Sequence, residues 1–556
     1  MTPEQLSQHL VDALSALADE GVLRLADGVP DQVRVERPKA REHGDYATNV
    51  AMQLTKSAGR PPREIAQLLA DRLLRVADVA AVDVAGPGFL NITVDAAAQG
   101  VLAGDVLAAG ADYGNNGSLA GQRINVEFIS ANPTGPLHVG HTRWAALGDA
   151  LARLLSAAGA DVAREFYIND RGAQMDRFGA SLVAAAAGRP VPDDGYHGGY
   201  VTELAARIAS EQPELADLPP DEQLAAYREE GYRLQLAEQQ RELEHFRTHF
   251  DVWYSERTLH ADDRVKHGIV QLRRQGHLYE AGGALWMRTT DFGDDKDRVL
   301  VRSNGEYTYF ASDTAYYVDK RERGFDRCIY MLGADHHGYV RRLLAMAACA
   351  GDDPDKTIDV LIGQLVKVLR GGEELRLSKR AGTILGLGEL VDITGVDALR
   401  YTLCRYPADS SMTIDVDAVT RQSSDNPVYY VQYAHARLSA IIRGATDLGI
   451  AVPAGNGDYD PAVLDHPREG DLLRALAELP RVVQQAASMR EPHRVARYLE
   501  ATAATFHKFY DECRVLPMGD EEVTELHRAR LALMGATRVV LANGLGLLGV
   551  TAPQRM

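Results

Sequence analysis

The sequence predicts an α/β protein with a parallel sheet at its centre, an α+β module before it and an all-helical bundle after it. Three observations carry this. A strand, a loop, a helix and a second strand follow one another between residues 123 and 168, the unit from which doubly wound parallel sheets are built. A second strand–helix–strand run occupies residues 327–368. Beyond about Gly395 strand patterns almost vanish and long helical stretches take over. At 556 residues the chain is too long for one core, so several domains are expected.

Residues 1–115 are expected to form a separate α+β module. Leu6, Leu10, Leu14 and Leu17 stand at helical spacing, a second helix is predicted near 62–76, and 80–94 reads as strand. The Gly/Asn-rich segment 113–117 looks like the linker that closes this module. Residues 120–175 and 300–395 are assigned to the sheet domain. Its strands are expected at 123–129, 161–168, 327–332 and 358–368, and its helices at 139–158 and 340–350. The stretch 176–299 is polar, rich in Glu and Gln and helical in pattern, so it is expected as an insertion. Residues 396–556 are assigned to the bundle, with helices near 428–442, 471–488 and 493–510.

Composition excludes some classes. No stretch approaches the roughly 20 apolar residues needed to span a bilayer. The first 21 residues carry acids without a basic-then-apolar pattern, so a secretory signal is not expected. Four widely spaced cysteines form no CxxC pair, which disfavours a disulfide framework or thiolate zinc site and fits a reducing cytoplasm; no resident metal is expected. A net charge of -18 argues against nonspecific wrapping of nucleic acid, DNA included. It leaves room for local basic patches, of which Arg34, Arg37, Lys39 and Arg41 form one; a solvated loop of mixed charge reads equally well.

The chemistry concentrates in two motifs. His138-Val139-Gly140-His141 stands where a strand turns into a helix. A helix start offers free N–H donors and partial positive charge to a phosphate chain, and a bare glycine lets a flat base lie close. Two imidazoles one turn apart can donate to charge building on an α-phosphate. Incidental histidines or a His-x-x-His metal pair remain open from the tetrapeptide alone. Downstream lies Arg376-Leu377-Ser378-Lys379-Arg380, after a Gly371-Gly372 turn. A loop with a central lysine and a preceding hydroxyl can close over β- and γ-phosphates, although by itself it could be any solvated basic loop.

Together, in this order, the two motifs resemble the HIGH and KMSKS signatures of class I aminoacyl-tRNA synthetases, which share a Rossmann-type catalytic domain. The wider segment Glu127-Phe128-Ile129-Ser130-Ala131-Asn132-Pro133-Thr134-Gly135-Pro136-Leu137 leading into HVGH resembles that of the arginyl enzymes. So do Tyr309-Phe310-Ala311-Ser312-Asp313, Leu332-Gly333-Ala334-Asp335-His336-His337, and Asp397-Ala398-Leu399-Arg400, the letters of the DALR anticodon-binding domain. The resemblance spans essentially the whole chain, to its closing 552–556.

The resemblance implies ATP-dependent activation of L-arginine and transfer to the 3′-terminal adenosine of tRNA(Arg). It places Glu127, Ser130, Asn132, Tyr309, Asp313 and His336 around arginine. A guanidinium is a planar cation with five donors, so its pocket needs carboxylates set to receive a fork. ATP, carried with Mg2+, would meet His138, Gly140, His141, Gly333, Asp335, Leu377, Ser378 and Lys379. His138, His141 and Lys379 are expected to be catalytic. Some relatives lack the signature lysine and carry one just before the HIGH histidines; here Gly135 occupies that site and Lys379 is kept. For tRNA the resemblance implies that the N-terminal module meets the elbow, with Arg37, Lys39 and Arg41 at phosphates, and that the bundle reads the anticodon. Tyr429, Tyr430 and Tyr433 are the stacking candidates, unless they only pack the bundle. The rivals are another class I specificity, a small nucleotidylyltransferase, or a catalytically silent tRNA-binding protein.

Overall fold

The computed structural model describes residues 1–38, 43–375 and 385–556. The expected loop residues Leu377, Ser378 and Lys379, and the basic residues Lys39 and Arg41, lie outside the described residues.

The chain opens with helix Pro3–Asp19, started by a reciprocal cap: Thr2 accepts from the Gln5 N–H, and the Gln5 side chain accepts from the Thr2 N–H. Leu6, Leu10, Leu14 and Leu17 are all buried along one stripe. They pack with helix Pro62–Leu73 over an antiparallel sheet of β1 (Tyr46–Thr48), β2 (Val79–Ala85) and β3 (Phe89–Val94), in the order β1-β3-β2. The expected single strand at 80–94 is therefore a hairpin. Gly86 and Gly88, at φ 49° and 141°, turn the chain back around Pro87. The core of this module closes at Val94, earlier than the expected boundary at 115. Helix Ala96–Ala109 is apolar all round, and its Leu102, Ala103 and Val106 belong instead to the large core shared by sheet and bundle.

That core surrounds five parallel strands. They are β4 (Arg123–Glu127), β5 (Asp161–Ile168), β6 (Val252–Ser255), then, beyond an antiparallel trio β7 (Leu278–Ala281), β8 (Ala284–Met287) and β9 (Arg298–Val301), β10 (Arg327–Gly333) and β11 (Ile358–Gly363). The order β11-β10-β4-β5-β6 reverses direction between β4 and β10, which makes a crevice at their carboxyl ends. Two corrections concern 176–299. β6 returns to the main sheet from within it, and β7 to β9 form a small antiparallel sheet where helix was expected. Four-residue strands carry too little period-2 pattern to stand out beside Glu-rich helices.

The expected strand at 358–368 also divides. β11 ends at Gly363, and β12 (Val366–Arg370) leaves the sheet to pair with β13 (Glu373–Glu374) across the Gly371-Gly372 turn. It also pairs, in parallel, with β14 (Met412–Asp415), a strand past Gly395 that the helical reading missed. The bundle itself comprises helices Pro427–Asp447, Pro467–Ala477, Leu479–Met489, His493–Glu512 and Glu525–Leu547. The expected helix at 471–488 breaks where Pro480 removes an N–H donor. The DALR letters lie on helix Val396–Cys404 and lock domains together. Arg400 is fully buried and donates to Asp149 (2.5 Å), to the Phe246 carbonyl (2.9 Å) and to the Leu548 carbonyl (3.1 Å).

Candidate active site

The HVGH turn lies at the switch point, where β4 leads through a loop into helix Val139–Ala157. His138 caps that helix: its Nδ1 accepts the Gly140 N–H at 3.1 Å, while the His138 N–H donates to His141 Nδ1 at 3.2 Å. The two rings stack, centroids 3.9 Å apart. Because each Nδ1 is an acceptor, the neutral rings carry their protons on Nε2, the tautomer that can donate to phosphate oxygen. Gly140 is exposed, and a Cβ there would come within 2.8 Å of the His138 ring. The turn thus requires glycine for its own geometry as well as for a close ligand.

The preceding loop is held by groups from the insertion. Buried Gln239 donates to the carbonyls of Asn132 (3.0 Å) and Gly135 (2.8 Å), and the Tyr200 hydroxyl donates to that of Thr134 at 3.0 Å. Asn132 keeps its side chain exposed. Across the turn, the Leu387 N–H donates to the Leu137 carbonyl at 2.9 Å, so the segment just after 376–384 is tied to HVGH. Glu242 faces the N–H groups of Leu137 and Gly388 at the same junction. Burial and the neighbouring Glu238 lift its carboxyl to about 7.

A second cluster sits beside β4. Ile129 and Ser130 both take positive φ (69° and 45°), a left-handed turn that a β-branched residue rarely accepts and that marks stored strain. It aims the Ser130 hydroxyl at Glu127 Oε1 (3.0 Å) and lets Ser130 accept the Tyr167 N–H (3.2 Å). Glu127, 8% exposed, receives the Lys320 ammonium on its other oxygen at 2.6 Å. Asp313, on helix Tyr309–Glu322, accepts from the Tyr339 hydroxyl. Burial lifts its carboxyl to about 6, opposed by that hydrogen bond and reinforced by Glu127. Tyr309 opens the helix and is 77% exposed, at the mouth.

The sequence reading missed Glu256. It follows β6, is 6% exposed, and is lifted to about 7 by burial, against Arg171 and with Asp170 and Asp313. Asp170 is already engaged by the Ser255 hydroxyl at 2.6 Å and the Arg257 N–H at 3.2 Å. His260 stands 3.9 Å from Glu256 and 3.2 Å from the Ser312 hydroxyl; burial, then Arg171, lower its pKa. Glu127, Asp170, Glu256 and Asp313 all act on the Tyr167 hydroxyl, raising its pKa on top of burial. Four carboxyls thus gather around the Tyr167 hydroxyl, beside a ring cluster of Tyr167, Tyr254 and Tyr316. A cation placed beside Asp313 and Glu256 would hold these two raised carboxyls ionised. Gly333, Asp335 and His336 lie at the carboxyl end of β10, with Asp335 and His336 exposed and 3.5 Å apart.

Among the described residues no group of three His, Cys, Asp or Glu side chains could hold a metal ion. All four cysteines are buried and free. Of the predicted RNA-facing tyrosines, Tyr429 and Tyr433 stack at 6.1 Å on helix Pro427–Asp447, and Tyr433 stacks on His507 at 6.1 Å while 40% exposed. Tyr430 instead tucks against the core. Arg37 is exposed on the side of the N-terminal module that faces Arg474 and Glu478 of the bundle.

Comparison with known proteins gives one answer along the chain. The arginyl tRNA synthetase N terminal domain matches residues 4–94, the class I (R) tRNA synthetase catalytic domain matches 104–187 and 222–421, and the DALR anticodon binding domain matches 431–556. An arginine–tRNA ligase of Frankia alni is 57% identical over 556 residues, covering all of both chains. One of Kineococcus radiotolerans is 56% identical over 558, again covering both. A solved arginyl-tRNA synthetase from Thermus thermophilus shares the fold over 100% of both chains, with TM-score 0.75 at 24% identity.

Proposed function

We propose, from the premise that this chain belongs to the class I arginyl-tRNA synthetases, that its negatively charged pocket selects arginine and its HVGH turn holds ATP. The chain charges tRNA with arginine for protein synthesis, using ATP. The observation that carries the division of labour is the placement of the carboxylates and the histidine turn side by side at the carboxyl edge of one sheet.

In this reading Asp313 and Glu256 receive the guanidinium fork, Glu127 and Ser130 line its floor, and Tyr309 covers it from the mouth. Asn132 holds the α-amino end with His336 opposite. The arginine carboxylate then attacks the α-phosphate of Mg·ATP; the phosphates bring the Mg2+ with them. Nε2 protons of His138 and His141 meet the charge developing on the α-phosphate, with Gly140 against the adenine and Gly333 and Asp335 at the ribose. Leu377, Ser378 and Lys379 close over the leaving pyrophosphate. A ribose hydroxyl of the terminal adenosine next attacks the adenylate and releases AMP. No side chain is a covalent nucleophile; positioning and charge stabilisation do the work.

The tRNA is proposed to lie across Arg37, Lys39 and Arg41 of the N-terminal module and to stack anticodon bases on Tyr429 and Tyr433, with Tyr430 supporting them from behind. Buried free thiols fit a reducing cytoplasm, where the chain is proposed to work. Charging of bulk tRNA with each of the twenty amino acids tests the reading. Arginine alone should be transferred, and transfer of another amino acid would refute it.

A further inference from the structure

Lys320 is a lysine with 0% exposure, on the fourth turn of the helix that Tyr309 opens. Its ammonium donates to Glu127 Oε2 at 2.6 Å and lies 4.4 Å and 4.0 Å from the ring centres of Tyr316 and Tyr330. A buried ammonium needs a paired anion, and the rings' electron-rich faces supply the rest of its surroundings. Glu165 also senses its charge, but that group is met by Arg323 with hydrogen bonds of 2.6 Å and 2.9 Å and by the Tyr316 hydroxyl. Lys320 is thereby committed to Glu127.

The pocket's charge balance gives this pair its meaning. Four carboxylates converge there, and one substrate guanidinium cannot offset them all. Asp170 is met by Ser255 and by Arg257. Glu127 is met by Ser130 and Lys320 from opposite sides, one oxygen each. Asp313 accepts from the Tyr339 hydroxyl with the Arg342 charge further off, and Glu256 lies 3.9 Å from His260 with the Arg171 charge further off; among the described residues neither acid is in an ion pair with a lysine or arginine. What remains for a ligand to satisfy is a pair of carboxylates, the demand a forked cation meets and a single ammonium does not.

We propose that Lys320 is a positioning residue for arginine selection: a resident cation that clamps Glu127 and leaves the Asp313 and Glu256 pair to the substrate. The inference rests on the pocket reading above. Each Glu127 oxygen retains a second lone pair, so the clamped carboxylate still offers an acceptor in a fixed direction.

Steady-state ATP–pyrophosphate exchange, with tRNA present, tests it on Lys320→Met, Lys320→Arg, Glu127→Gln and the double variant Lys320→Met/Glu127→Gln. Lys320→Met should raise the KM for arginine by about thirtyfold or more with kcat and the KM for ATP within about threefold, and Lys320→Arg should recover most of the loss. Because Lys320 acts through Glu127, adding Lys320→Met to Glu127→Gln should raise the arginine KM no further. That comparison decides the matter even if Lys320→Met alone does not fold. An arginine KM unchanged in folded Lys320→Met, or a further rise in the double variant, overturns the proposal. Asp313→Asn and Glu256→Gln separate it from the pocket reading. If they leave the arginine KM untouched, the pocket itself is wrong; if they raise it and Lys320→Met does not, Lys320 alone is misassigned.

Discussion

Two regions at one edge of the same sheet are built by opposite means. The proposed arginine pocket beside β4 gathers buried and half-buried acids, with Asp313 lifted to about 6 and Glu256 to about 7. The proposed nucleotide edge, from HVGH across to the end of β10, is more open and offers largely backbone: Gly140, the helix start and Gly333. On the proposed assignment the difference follows from the ligands. A guanidinium must be told apart from other side chains, and discrimination is steep only where groups left unpaired are already out of water. ATP brings its own charge and needs donors and a flat approach, which a helix start supplies without desolvated acids.

The comparison breaks most readily at Asp313. Asp313→Asn should cost about a hundredfold or more in kcat/KM for arginine, carried by KM, with the ATP KM nearly unchanged; an equal rise in both constants would erase the separation of the two regions. Lys379→Ala should show the mirror image in single-turnover adenylate formation, a fall of about a hundredfold with modest change in arginine affinity. Rates that barely move would remove the loop from the chemistry.

Acidity sharpens the contrast. Arginine binds the ionised carboxylates, so protonating Glu256 and then Asp313 should raise the arginine KM as pH falls from above 7 to below 6. The ATP KM should lack that limb, and a limb shared by both substrates would point to a common group such as Glu242. The smallest effect is expected at Tyr200→Phe, which deletes one hydrogen bond to the Thr134 carbonyl. The exchange rate should drop about fivefold, and no change would mean that Gln239 alone holds the loop.

How much of this was legible beforehand depends on chain distance. HVGH could be read because a strand, a loop and a helix start are consecutive, and the helix cap is made between residues 138, 140 and 141. The parallel sheet showed itself where strands are long, as at β5, or apolar, as at β10. Glu256 could not be read, since its strand has four residues and it meets Asp313 only through the tertiary fold. Lys320 stands in sequence among Asp319, Arg321 and Glu322, and only the packing of Tyr316 and Tyr330 around it reveals its burial. The DALR letters pointed to the anticodon-binding domain that follows them, but not to the work of Arg400 itself, which spends its donors on internal carbonyls and Asp149.

The central claim is that Asp313 and Glu256 exchange protons for a guanidinium. Calorimetry of arginine binding in two buffers of different ionisation enthalpy, with tRNA present throughout, measures that exchange directly. The account predicts net proton release between about pH 6 and 7, fading at higher pH and abolished in Asp313→Asn/Glu256→Gln. Binding with no proton release anywhere in that range would contradict it.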